Sequence, residues 1–392
     1  MHLRFIAAAG IATTLVAGPI VAGKPYVPAD ESEVLETLPT IIFAQRDKVA
    51  LLRERLSSEP GNEQLAATIA QHYVDVGKSE GDPRFFGYAR AAIQRWWDEP
   101  TASASLLRVR AKLKETDHRY QAALDDLGVL LEATPGDQQA LVEVANINRV
   151  LGEYAAAREA SDALGDASES IPAMVASVPL LAVTGEAKEA DALLAAQRER
   201  IADEVPDVLP WFHTMRAEIA RSLGREADAE THYRTGLKVS PWNSYLKRSY
   251  ADFLIDRDRP EEALAMLGDD LRDNGSLLRA AIAARMAGKA GLAGMWSEQL
   301  CDRFAETRLR GDLPHGRYEA RYELEFGDAR TALDLALANW GRQKEYRDAR
   351  NVLEAAIAAD AADAAPPAIA FLQQHGTQEV ALDRLMRQLE AE

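Results

Sequence analysis

Residues 104–135 read ASLLRVRAKLKETDHRYQAALDDLGVLLEATP, and residues 138–165 read QQALVEVANINRVLGEYAAAREASDALG. Shifted by 34 positions, Ala111, Tyr120, Ala123 and Leu127 of the first fall on Ala145, Tyr154, Ala157 and Ser161 of the second. The same shift carries Ala217 and Ala229 onto Ala251 and Ala263, and Pro135 and Pro241 stand after the second apolar segment of their units. A fixed period of this kind marks a stacked repeat, each unit too small to bury its own apolar face. Where the period drifts, a shorter pattern persists: a small residue, glycine seven positions later and alanine twelve later. It runs Ala145-Gly152-Ala157, Val178-Gly185-Ala190, Ala217-Gly224-Ala229, Ala281-Gly288-Ala293 and Ala320-Gly327-Ala332, while Ala111–Ala123 and Ala251–Ala263 keep the alanines without the glycine.

The spacing has a physical reading. Two antiparallel helices approach closely only where small side chains cross. Between the crossing residues the chain reverses, and glycine accepts the left-handed backbone that ends the first helix. Larger residues such as Leu141, Val144, Tyr154 and Leu164 then fill the space between successive hairpins.

On these residues the chain resembles the tetratricopeptide repeat family, whose units pair helices through small and aromatic positions and close with proline. Segments 104–135 and 138–165 match best, 210–241 and 244–271 come next, and 171–204, 274–305 and 313–341 are divergent. The first unit begins near Glu63, keeps Ala70 and Gly77, and is interrupted at Gly81-Asp82-Pro83 before Tyr88–Trp97. The resemblance implies an all-α, right-handed superhelical solenoid of about eight antiparallel hairpins over residues 61–360. Beyond the last glycine-marked unit, Arg347–Ala359 reads as a further helix, Ala361–Pro367 as a break, and residues 361–392 as a C-terminal capping hairpin.

Composition agrees with helices. Of the 392 residues 47% are hydrophobic, enough for a continuous core, and only 7% are aromatic, without the β-branched alternation of strands. The net charge of −17 disfavours nucleic acid as a partner, because an acidic surface repels phosphate backbones. The single cysteine, Cys301, excludes an internal disulfide and is read as a small core residue.

At the N-terminus, Arg4 precedes the uncharged stretch Phe5–Gly23, which ends in Val21-Ala22-Gly23. Residues 1–23 are read as a signal peptide or an uncleaved N-terminal anchor. Either one directs the chain to export, to a periplasmic location, with tethering at the inner membrane if the segment is retained. Residues 24–60 are the linker and lead-in helix, the latter over Ile41–Leu56.

No catalytic or cofactor motif emerges. His72, His118, His213, His232, His315 and His375 are scattered without metal-ligand spacing, and acidic pairs such as Asp125-Asp126 and Asp269-Asp270 belong to an acidic surface. Glycine-rich phosphate loops and a nucleophile elbow are missing. The expectation is a chain with no cofactor, no metal and no enzymatic activity.

First helices line the concave face of such a superhelix, so their outward residues are the candidate partner-binding set. These are Arg108, Lys112, Glu143, Asn146 and Arg149, then Trp211, Glu218 and Arg221, then Tyr245 and Arg248. Asn, Lys and Arg in that groove resemble, in part, the arrangement by which some family members clamp a peptide carboxylate. Trp211 is read either as a groove anchor or as packing against Pro210, and of the adjacent Trp96 and Trp97 one is assigned to the core and the other to the surface. The sequence thus points to a non-catalytic protein- or peptide-binding scaffold of the cell envelope, of open oligomeric state. Two other readings remain: an envelope enzyme or enzyme subunit acting on cell-wall glycan, and a small-molecule or lipid carrier.

Overall fold

The computed structural model describes residues 40–391 apart from 81, 83, 101, 270 and 310–315. The stretch read as a signal peptide or anchor at 1–23, the 24–60 segment as far as residue 39, and His315 lie outside the described residues. Two compact units are distinguished, residues 1–51 and residues 52–392. In the first only the opening turns of α1 (Thr40–Ser58) are described, and the repeats all belong to the second.

Helices succeed one another in pairs. They are α2 (Glu63–Glu80) with α3 (Arg84–Ile93), α4 (Ala104–Thr116) with α5 (Tyr120–Ala133), α6 (Gln138–Leu151) with α7 (Tyr154–Asp162), and α8 (Ile171–Val183) with α9 (Ala187–Ala196). A short α10 (Arg198–Glu204) intervenes. The series resumes with α11 (Leu209–Ser222) and α12 (Glu226–Val239), α13 (Ser244–Ile255) and α14 (Pro260–Leu267), α15 (Asn274–Met286) and α16 (Ala290–Leu309), α17 (Gly316–Phe326) and α18 (Ala329–Trp340). It ends with α19 (Tyr346–Ala358), α20 (Pro366–Gln374) and α21 (Val380–Ala391). No strand occurs among the described residues, and no described helix is long and apolar enough to cross a membrane.

The crossing residues behave as their size requires. Ala123, Ala157, Ala190, Ala229, Ala263 and Ala332 are wholly buried where the two helices of their hairpins meet. First helices start on side-chain caps: Asp137, Ser170, Asn243 and Asp273 each accept a hydrogen bond from a backbone N–H of the first turn.

At the reversals, Gly152, Gly185, Gly224 and Gly288 have φ between 71° and 83°. The two units without glycine do not escape this geometry. His118 and Asp258 stand at the same seventh position with φ of 56° and 53°, where their polar side chains tolerate the left-handed region. Gly327 is the exception, reversing its hairpin without a left-handed residue.

Two expectations are corrected. Trp96 and Trp97 are both buried, because α3 gives way at Gln94 to a tighter 3₁₀ turn that breaks the 100° stepping of an α-helix. Cys301 is exposed: Leu300 and Phe304 take the buried stripe of α16, and the residue after Leu300 turns to solvent.

The array does not remain an open trough. It curls until α19 meets the concave sides of α6, α11 and α13. The backbone N–H of Lys344 donates to the carbonyl of Val150 at 2.7 Å. Arg350 forks onto Asp256 with bonds of 2.7 and 2.8 Å. The α20–α21 turn reaches α8, where the Thr377 hydroxyl donates to the carbonyl of Val183 at 2.8 Å. Residues 361–390 therefore pack back against the middle of the array, as well as on α19 through Leu382 and Leu389.

Candidate functional site

Closure turns the concave face into a chamber of ≈ 800 Å³. Its walls are first helices, namely α2, α4, α6, α8, α11 and α13, and its far side is the start of α19 with residues 377–379. A single repeat places each of these side chains, since the helix that presents it is held at the crossing alanine and oriented by the cap.

Seven of the ten concave-face candidates line this one space: Lys112, Asn146, Arg149, Trp211, Glu218, Arg221 and Tyr245. Arg108, Glu143 and Arg248 stand outside it. Arg108 is paired with the cap residue Asp137, Arg248 with the cap residue Asp273 at 3.0 Å, and Glu143 is buried 4.0 Å from Lys112.

Most of the chamber's charges are already matched within the chain. Lys112 pairs with Glu115 at 2.8 Å. Arg149 donates to Asn146 at 2.9 Å and to Glu345 at 3.2 Å, so the Asn–Arg pair read as a carboxylate clamp holds a carboxylate of this same chain. Arg221 pairs with Glu379 at 2.9 Å and stacks on Tyr346 at 4.6 Å. Glu218 accepts from Arg347 and from Ser249, both at 2.8 Å, and from the Tyr245 hydroxyl at 3.0 Å. Burial alone would raise the Glu218 carboxyl; Arg347 outweighs it and holds the group below its ordinary value. The Tyr245 hydroxyl is pushed up to about 12 by burial, with Arg347 opposing and Glu218 adding.

Sequence reasoning missed the other side of the chamber. Lys344, Glu345, Tyr346, Arg347 and Glu379 belong to segments past the last glycine-marked unit, and nothing in their local pattern announces that they return. Lys78 was missed as well. It sits at the end of α2 with its ammonium against that of Lys112 and opens into the chamber; desolvation between the walls, together with that neighbour, pushes it down to about 8. The structure also joins His213 and His232, Nδ1 to Nδ1 at 3.0 Å across α11 and α12. Among the described residues no group of three or more metal-ligating side chains forms.

Each hairpin crosses on a buried small residue, and the seventh-position reversal recurs even where glycine is absent. The described residues form a stacked array of antiparallel helical hairpins, the architecture that the tetratricopeptide resemblance implies. No protein-family model matches the chain, and no curated protein matches it. Among solved structures the array is similar to the APC/C hetero-tetramer Cut9-Hcn1, at 12% identity over 86% of this chain and 85% of that one, with a TM-score of 0.30. It is similar to Naa15/Naa10 bound to HypK-THB at 11% identity, over 90% of this chain and 62% of that one, with a TM-score of 0.34. The TPR domain of P58(IPK) is similar at 14% identity over 90% of this chain and 94% of that one, with a TM-score of 0.23. These likenesses add nothing to the assignment, which stands on the hairpins themselves.

Proposed function

We propose that the array is a non-catalytic scaffold of the cell envelope that recognises a segment of a partner protein at the mouth of its concave chamber. The observation that carries this reading is the convergence of seven concave-face side chains from α4, α6, α11 and α13 on one space. Residues 344–350 and 377–379 already cross the groove, so a partner meets it as a segment and not as a folded domain lying along it. Trp242, on the α12–α13 connection that also supplies Ser240 and Asn243 to the chamber, is 65% exposed, and Tyr245, in the first turn of α13, is 45% exposed. Exposed tryptophan and tyrosine at the edge of a concave surface are the side chains that anchor partners most strongly.

The envelope location rests on the uncharged stretch Phe5–Gly23 and its small-residue ending. Protease protection in spheroplasts against intact cells tests it, and a chain found only in the cytosolic fraction contradicts it.

The partner reading is tested with a photo-crosslinking residue placed at Trp242 or, as a control, at Val129 on the exposed side of α5. A discrete protein adduct from position 242 and none from 129 supports the mouth as the interface. Equal labelling from both positions, or none from either, removes it.

A further inference from the structure

The buried apolar clusters of the array follow the chain. One runs from Ala66 to Ile147, and the next take Leu141 to Ala176, Met174 to Ile219, Ala217 to Phe304 and Ala320 to Leu389. Each joins hairpins that are neighbours in sequence, which is where a repeat array finds its stability. Where the curl closes, between α19–α21 and the helices α6, α7, α8, α11 and α13, the contacts are of another kind. Among the described residues one small apolar cluster crosses there, in which Phe371 of α20 packs on Leu180 and on Tyr154, with 5.6 Å between the two rings.

The rest of the seam is charge and hydrogen bonding. Arg149 meets Glu345 at 3.2 Å, and Arg221 meets Glu379 at 2.9 Å. Arg347 and Arg350, three residues apart on α19, reach Glu218 and Asp256 at 2.8 and 2.7 Å. The backbone N–H of Lys344 bonds across the same gap to the carbonyl of Val150. Opening such a seam returns both partners of every pair to water together and strands no buried charge, unlike the loss of one partner. It also leaves every apolar cluster intact except the contact at Phe371.

We propose that the contacts of α19–α21 with α6–α13 are a charge-held latch, which opens as a unit while the hairpins stay folded and so uncovers the concave face to the partner segment. This rests on the scaffold reading for what enters; the opening itself belongs to the chain alone.

Native-state hydrogen exchange on the full chain reads the latch without partner or substitution. The Lys344 amide is expected to exchange about tenfold faster, relative to its intrinsic rate, than the amides of Ala336 in α18 and Val352 in α19, whose bonds lie within helices. Exchange of all three only at the rate of global unfolding overturns the proposal. Arg347→Glu combined with Arg350→Glu is expected to enlarge the radius of gyration in X-ray scattering while the circular dichroism of the helices is unchanged. The swapped pair, Asp256→Arg with Arg350→Asp, is expected to stay as compact as the parent chain. A glutamate double variant that remains compact, or that loses helix as it expands, overturns the latch. Entry is read with a photo-crosslinking residue at Met215, inside the chamber, whose protein adduct should increase in the opened variant. An adduct at position 242 without that increase overturns the latch's control of entry. No adduct at either position removes the scaffold reading, and the latch then stands or falls on exchange and scattering.

Discussion

Arg347, in the first turn of α19, donates through Nη2 to Oε1 of Glu218 on α11 at 2.8 Å, across a chamber and 129 residues of chain. Both side chains are largely withdrawn from water, and Ser249 and Tyr245 complete the bonding of the carboxylate. This pair ties α19 to the middle of the array.

Arg347→Leu leaves Glu218 buried without its cation. Breaking a buried pair in this way costs about 3–5 kcal/mol, and the urea midpoint is expected to fall by that cost divided by the denaturant slope. Glu218→Gln with Arg347→Gln together should cost less than the two singles summed, because the pair acts as a unit. The depressed carboxyl also sets a direction with pH: the pair's contribution is present above the unfolded value near 4.5 and is lost as pH falls through the folded one. Additive single effects argue against the closure.

Gly185 tests the seam between array and C-terminal segment. Its φ is 83°, and a Cβ there would stand 3.1 Å from the carbonyl oxygen of Gly376. Gly185→Ala therefore combines left-handed strain of about 1–2 kcal/mol with displacement of the α20–α21 turn. Gly224, with φ of 73° and only Val380 Cγ2 at 3.4 Å, carries the strain with little of the displacement. Hydrogen exchange over residues 366–391 should rise more in Gly185→Ala than in Gly224→Ala; equal change means that the seam does not hold that segment.

The His213–His232 pair makes stability fall in acid. Burial, Arg216 and His213 push His232 down to about 4, and burial with Arg198 and Arg216 lowers His213. Folded values below the unfolded value near 6.5 mean that the unfolded chain binds more protons in between, so stability is full above 6.5 and declines as pH falls towards 4. Between pH 7 and pH 5 the melting temperature of His232→Gln should drop less than that of the parent chain. A gap of about 2–4 °C is expected, what 1 kcal/mol moves a chain of a few hundred residues. Parallel curves would show that the pair does not titrate as described.

Lys78 follows the same sign in a more alkaline window. Its folded value near 8 lies below the unfolded one, with Lys112 and Glu115 on α4 and Glu143 on α6 as the charged groups around it. The folded state is penalised where Lys78 must be charged, below about 8, and that penalty disappears as pH rises past the unfolded value of about 10.4. Lys78 is exposed along its side chain, so water screens much of this penalty; Lys78→Met should raise the melting temperature only slightly at pH 7 and have no effect near pH 10.5. A gain of the same size at both would assign the effect to packing.

Much of the fold was legible because its causes are local. Small residues twelve apart set each crossing, a left-handed seventh position sets each reversal, and Asp or Asn caps start the next helix. His118 and Asp258 show that the rule concerns backbone geometry and is not confined to glycine. Expectation and structure part at Trp97 and Cys301, where a 3₁₀ turn and one step around a helix decided burial.

What the sequence by itself determined is the hairpin series and the set of side chains on its first helices. What only the tertiary structure decided is that these helices face one another. Tyr120 bonds to Gln343, Arg149 to Glu345 and Glu218 to Arg347, pairs separated by 223, 196 and 129 residues. Such meetings depend on the rotation added at every interface between neighbouring hairpins. A few degrees per unit, set by side-chain packing along the whole array, accumulate into either an open groove or a closed chamber. No single repeat carries that sum, and so the two-walled space appears only when all of them are stacked.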